Sequence, residues 1–279
     1  MIGWETAITG VLLPATLMWL AVRQKSLTTA AGISAGLLTG ALAFVAGWEW
    51  AVAVDAYLLG LIAWIPFRRQ TKQEPLDRPE AQAMLRPADV LAPLAWPVAT
   101  AMANAVLGET SVSLVIYAGA LASSTADLWA TEIGVLSPDP PRDLVRGSSV
   151  SPGTVGAVSL LGIVAAVLGA WSIGFVAMAT KTLPPLFTRQ PMDTHWGLLP
   201  LICAFAGLMG MISDSALGSI AQAMYHCPRC DRATDRPRHH CGAETQKVRG
   251  WRGLTNPMVD LIASMIGGAV ALALWLWLA

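Results

Sequence analysis

The chain has 279 residues, 54% of them hydrophobic and only 13% charged, and its formal net charge is zero. Its mean hydropathy of +0.55 excludes an ordinary water-soluble enzyme, and its charge balance excludes a binder of nucleic acid by bulk attraction. Twelve tryptophans fit interfacial belts, so the expected class is all-α: one polytopic membrane helix bundle, 1–279.

Eight apolar stretches approach the ~20 residues needed to cross a bilayer. They run over about 2–22, 29–46, 48–66, 88–106, 110–130, 153–180, 195–224 and 256–278. The first begins at Met1 without a basic leader region or a cleavage site, and is read as a retained helix. The second and third are short and joined at Ala46-Gly47-Trp48, so a re-entrant pair is the alternative for them.

With eight spans, the loops 23–28, 67–87, 131–152 and 225–255 share one face. They hold every Lys and Arg of the 18 except Lys181 and Arg189. The positive-inside rule places those loops in the cytoplasm and both termini outside. The expected location is the cytoplasmic membrane, multi-pass.

Glycines 32, 36 and 40 form a small-residue stripe on the second helix, read as packing. Residues 67–87 read as a polar cytoplasmic linker. Pro93 and Pro97 predict a kinked fourth helix, whose Asn104 reads as a packing hydrogen bond.

Chemistry concentrates from 123 to 162. Ser124, Asp127 and Thr131 share one helix face, and Glu132 follows. After Arg142 and Arg146, the run Ser151-Pro-Gly153-Thr154-Val-Gly156 is expected to open the sixth helix. Pro152 suits a first turn, and the glycines let a ligand reach free backbone N–H groups. Anion donors beside carboxylates suggest a phosphate and a divalent metal. No Walker A pattern occurs.

Two more intramembrane acids follow. Asp214 lies among Gly207, Gly210 and Gly218, with Ser215 beside it. Asn256, Asp260 and Ser264 repeat at helical spacing on the last span. Intramembrane carboxylates are costly and usually mark a site. All of these fall near cytoplasmic helix ends under the charge-derived topology.

Between the last two spans, 225–255 holds Cys227-x-x-Cys230 and His239-His240-Cys241. Cys227, Cys230 and Cys241 with His239, or His240 in its place, make a closed structural zinc set in a small cytoplasmic loop. A redox CxxC and a labile iron site are the alternatives.

The runs A-D-L-W-A-T-E-I-G (126–134), S-P-G-T-V-G-A-V-S-L-L-G (151–162), G-L-M-G-M-I-S-D-S-A-L-G (207–218), the C-P-R-C to H-H-C-G loop and N-P-M-V-D-L-I-A-S (256–264) resemble an integral-membrane family. That family includes the plant phytyl-phosphate kinase. The resemblance implies phosphoryl transfer from a nucleoside triphosphate, CTP favoured, to an isoprenyl monophosphate whose tail lies among membrane lipids. The residues themselves are compatible with this: Asp127, Asp214 and Asp260 are the candidates to hold Mg²⁺, with Glu132 as a fourth catalytic acid. Candidate phosphate and nucleotide contacts are Ser124, Arg146, Ser151, Gly153, Thr154, Gly156, Ser215 and Asn256. The competing readings are a transporter or flippase of a lipid-linked substrate that uses the membrane Asp residues, and a scaffold with a zinc loop.

Overall fold

The computed structural model describes residues 3–76, 84–108, 110–188, 194–239 and 241–278. Nine helices of eight residues or more occur among them: α1 Trp4–Arg23, α2 Thr29–Val45, α3 Trp48–Trp64, α4 Arg69–Leu76, α5 Pro87–Leu107, α6 Ser111–Gly134, α7 Leu160–Thr188, α8 Leu199–Ile220 and α9 Asn256–Leu278. Eight of them answer to the eight apolar stretches. Among the described residues, however, six are long and apolar enough to cross a membrane: α1 and α5 to α9. The 17-residue helices α2 and α3 are each about 25 Å long, short of the ~30 Å hydrocarbon core. They form a tight hairpin through Gly47, whose φ of 113° excludes other residues at little strain. Whether this hairpin spans or re-enters, the number of crossings stays even, so the basic loops remain on one face. The short helix α4 lies in the expected linker, of which residues 77–83 fall outside the described set.

Helix α6 is the most buried of the long helices and packs against α5, α7, α8 and α9. Its sequence explains this. From 117 to 126 every residue is Ala, Gly, Ser or Thr apart from Tyr117 and Leu121, so neighbouring backbones approach closely. A Cβ on Gly119 would stand 2.2 Å from the Ala271 Cβ of α9, and one on Gly210 would stand 1.9 Å from the Ser123 hydroxyl. At α1 the chain takes a π-helical turn over Ile8–Leu12, in which the Leu13 N–H reaches back to the Ile8 carbonyl. Pro14 follows and cannot donate to Gly10 as an α-helix requires. The Gly10 carbonyl instead faces Gly40, where a Cβ would stand only 2.9 Å away. The glycine stripe of α2 is thus engaged in packing against α1.

One proline of α5 is answered from outside the helix. Pro97 has no N–H for the Pro93 carbonyl, and the Ser124 hydroxyl donates to it at 2.8 Å. Asn104 accepts the Thr110 N–H at 3.1 Å, the local packing bond expected of it.

The sixth span begins at Leu160, not at residue 153. Ser151–Gly156 is a turn outside the helix, because Gly153 and Gly156 adopt φ of 80° and 82°, conformations that an α-helix does not contain. It feeds a two-stranded antiparallel sheet, β1 Arg142–Asp143 against β2 Ala157–Val158. Ser159 then opens α7, accepting the Gly162 N–H at 3.1 Å while its hydroxyl donates to the Gly134 carbonyl that ends α6. The 225–255 loop is not helical either. It carries a three-stranded antiparallel sheet with β3 Met224–Cys227 between β4 Arg232–Thr234 and β5 Gln246–Arg249.

Candidate active site and metal-binding loop

Three carboxylates converge. Asp127 stands seven residues before the end of α6, Asp214 six before the end of α8, and Asp260 four after the start of α9. Those offsets put all three about 6 to 11 Å below the same face at ~1.5 Å per residue. One oxygen from each lies within 4.8 Å of the others, and all three residues are half-buried. One oxygen of Asp214 is buried without a hydrogen-bond partner among the described residues. Asn256 Nδ2 donates to both oxygens of Asp260 at 3.2 Å, and its own Oδ1 accepts from Gln222 Nε2 at 3.4 Å. Three clustered carboxylates, one with an unmet oxygen, are a donor set suited to a hard divalent cation that keeps some of its water.

Beside this cluster sits the glycine turn. A Cβ on Gly156 would stand 2.6 Å from the Ser219 Cβ and 2.7 Å from the Ser215 carbonyl oxygen, so the turn lies directly on the last turn of α8. The loop is fastened there by Asp143, which is buried. Its carboxylate accepts the Val145 and Arg146 N–H groups at 2.9 and 2.8 Å and the Ser219 hydroxyl at 2.9 and 3.0 Å. The Arg146 N–H first, and then the Ser219 hydroxyl, hold the Asp143 carboxyl below its ordinary value, against its desolvation.

The other expected site residues are placed variously. Glu132 does not join the three acids; its Oε2 meets Lys72 Nζ of α4 at 2.7 Å, and that ammonium also donates to the Trp64 carbonyl. The Ser124 hydroxyl donates to the Pro93 carbonyl of α5. Ser215 points to the Met211 sulfur at 3.9 Å, and the Thr154 hydroxyl donates to the Ser151 carbonyl at 2.7 Å. The Arg146 guanidinium is 62% exposed and touches Asp143 at 3.3 Å. An apolar groove of about 980 Å³ lies between α1 and α2, and none of these site residues lines it.

Sequence reading missed Asp143, Ser219, Gln222 and Lys72, which are ordinary polar residues until the fold assembles them. It also missed Asp55 on α3, buried with both oxygens unpartnered among the described residues. An ionisable residue inside an apolar stretch was the available signal for it.

The cysteine loop closes as its spacing implied. Ligand atoms of Cys227, Cys230, His239 and Cys241 all lie within 4.8 Å of one another. Cys227 and Cys241 sulfurs are 3.6 Å apart, and His239 Nδ1 is 3.2 Å from the Cys241 sulfur. Tetrahedral zinc would set these separations near ~3.8 and ~3.6 Å. The His239 ring beside it holds the Cys241 thiol down to about 6, while a hydrogen bond with Cys241 pushes Cys230 up to about 11. The alternative ligand His240 lies outside the described residues.

Comparison with known proteins places this architecture. Residues 12–268 match the family model described as integral membrane protein DUF92, a stretch that includes every motif quoted for the resemblance. The chain is 27% identical over 148 residues to Protein PGR of Arabidopsis thaliana, covering 53% of this chain and 50% of that protein. It is 26% identical over 164 residues to an uncharacterized membrane protein, MJ0933, of Methanocaldococcus jannaschii, covering 58% and 52%. The chain thus spans about half the length of the curated relatives it matches. No solved structure matches it. With a family match over most of its length and six helices fit to cross a bilayer, the chain belongs to the DUF92 family of integral membrane proteins.

Proposed function

We propose that this protein transfers a phosphoryl group from a nucleoside triphosphate, CTP favoured, to an isoprenyl monophosphate at the cytoplasmic face of the membrane. The observation that carries the reading is the convergence of Asp127, Asp214 and Asp260 at one membrane face beside a glycine turn. Phosphoryl transfer asks for positioning and charge neutralisation more than covalent help. A bound Mg²⁺ would supply the charge that bridges phosphate oxygens, and the three aspartates are the residues to hold it. Asn256 orients Asp260 through its two donor contacts. The Thr154 N–H is taken by the Ser151 carbonyl, so the Gly153 N–H and the exposed Arg146 are the groups offered to the phosphates. The isoprenyl tail stays in the bilayer, which brings its phosphate to the same depth as the acids.

The test is direct. Purified protein is given CTP or ATP labelled in the γ-phosphate, with a panel of isoprenyl alcohols and monophosphates. Label appearing in an isoprenyl diphosphate supports the reading, and label in no lipid product removes it.

Asp55 favours a second reading, a transporter or flippase with an intramembrane proton site, because a buried unpartnered carboxyl suits a protonated acid. Loss of substrate movement across sealed vesicles on Asp55→Asn, with no phosphoryl transfer by the parent protein, would select that reading.

A further inference from the structure

The metal loop has little means of holding its own shape. Its three strands have three or four residues each, β5 is largely exposed, and from 222 to 255 the buried apolar residues are Ala223, Met224 and Cys227. A sheet of that size needs a staple. Yet its last strand reaches back to the membrane core. Arg249, which ends β5 opposite Met224 of β3, donates Nη1 to the Ser219 carbonyl at 2.5 Å and Nη2 to the Gly218 carbonyl at 3.4 Å. These are the orphan carbonyls at the end of α8. Gly250 lies equally close, since a Cβ there would stand 2.0 Å from the Gln222 carbonyl oxygen.

Ser219 is therefore held from two sides. Its carbonyl takes the Arg249 guanidinium, and its hydroxyl donates to Asp143, the residue that seats the 142–158 loop. Asp214 stands little more than one turn before it on the same helix.

We propose that Cys227, Cys230, His239 and Cys241 hold one structural Zn²⁺, and that this zinc knot is a clamp: it fixes β3 and β5, places Arg249 on the end of α8, and so seats the glycine turn beside the three aspartates. Arg249 is a positioning residue. Among the described residues it makes no hydrogen bond to the three aspartates or to the turn, and it acts through Ser219. The part of the inference that concerns what the clamp serves rests on the phosphoryl-transfer reading; the zinc and the clamp themselves do not.

The experiment uses full-length protein in detergent, with no nucleotide or lipid substrate. Elemental analysis is expected to give about one zinc per chain, and Cys227→Ser and Cys241→Ser should each remove most of it. Hydrogen exchange over 142–158 is then compared in parent, chelator-stripped and Arg249→Ala proteins. Stripping should quicken exchange there by roughly tenfold. Arg249→Ala, which keeps all four ligands, should retain its zinc and quicken the same segment. Arg249→Lys, able to reach one carbonyl rather than two, should fall between. Absence of zinc, or zinc indifferent to both cysteine substitutions, overturns the metal site. Zinc present but exchange altered only within 224–250 overturns the clamp. Because neither readout involves turnover, both outcomes are distinct from a failure to find phosphoryl transfer.

Discussion

Lys72 Nζ lies 2.7 Å from Glu132 Oε2, joining the short helix α4 to the end of the central helix α6 across 60 residues of sequence. The lysine is 6% exposed and the glutamate 23%. Removing one partner of such a pair strands the other charge, whereas replacing both with apolar residues is often neutral. Glu132→Gln should therefore cost about 2 kcal/mol of stability, less than the ~3–5 of a fully dry pair because Glu132 retains some water. Lys72→Met with Glu132→Leu should recover most of that in thermal melts. If Glu132 belonged to the reaction, the double variant would fold and be inactive; it should instead keep its turnover.

The aspartates are expected to behave oppositely. Asp127→Asn, Asp214→Asn and Asp260→Asn each remove a negative charge from a crowded cluster, so the cation-free protein should melt no lower than the parent. Each should lower phosphoryl transfer by at least about a hundredfold, the scale of losing one preorganised electrostatic contact. Normal turnover in all three would leave the cluster intact as structure and end its assignment to this chemistry.

Asp143 sets a pH limit on the loop. Its folded-state value lies below the ordinary 3.8, so the stabilisation it gives is complete above that value and is lost as pH falls through the lower, folded one. Hydrogen exchange over 142–158, corrected for intrinsic rates, should stay flat from pH 7 down to the ordinary carboxylate range and rise only below it. Asp143→Asn should exchange quickly at every pH.

Ser124 offers a sharper local test. Its hydroxyl answers the Pro93 carbonyl only because Pro97 cannot. Ser124→Ala should cost about 1 kcal/mol and leave the apparent affinity for nucleotide unchanged. In a Pro97→Ala background, where an N–H is restored, the same substitution should cost much less. A nucleotide effect equal in both backgrounds would return Ser124 to the binding site.

Topology can be read with reporter fusions placed after Arg78 and after Asp235. Both should report the cytoplasm, given the distribution of Lys and Arg. A reporter found outside at either point would move the acid site to the other face.

What the sequence disclosed, and what it hid, follows from distance along the chain. Asp127, Asp214 and Asp260 stood out because carboxylates are rare in apolar stretches, and their place within about two turns of a helix end was countable. Glu132 had the same appearance one turn later; only its partner Lys72, far off in sequence, separates it from the group. Ser151–Gly156 read as a helix start because Pro and Gly serve both at helix N-termini and in turns, and the glycine φ values that decide between them are set by the seat on α8. Cys227, Cys230 and Cys241 were legible since metal geometry is local. Arg249 was not, because its role depends on where α8 ends.

The π turn at Ile8–Leu12 carries one residue more than an α-helical path would need. Deleting one residue there would close the turn to an α-helical one and leave what precedes it in register, whereas deleting one from the α-helical Leu13–Arg23 would turn everything before it by about 100° about the helix axis. Hydropathy and span length would scarcely change, so the shortened chain would insert into a membrane as readily as before. It would then present the wrong surface to Gly40 and Ala43, which now lie against Gly10. For this helix, insertion and assembly are separable, and a natural length variant within Leu13–Arg23 should be accompanied by compensating changes on α2.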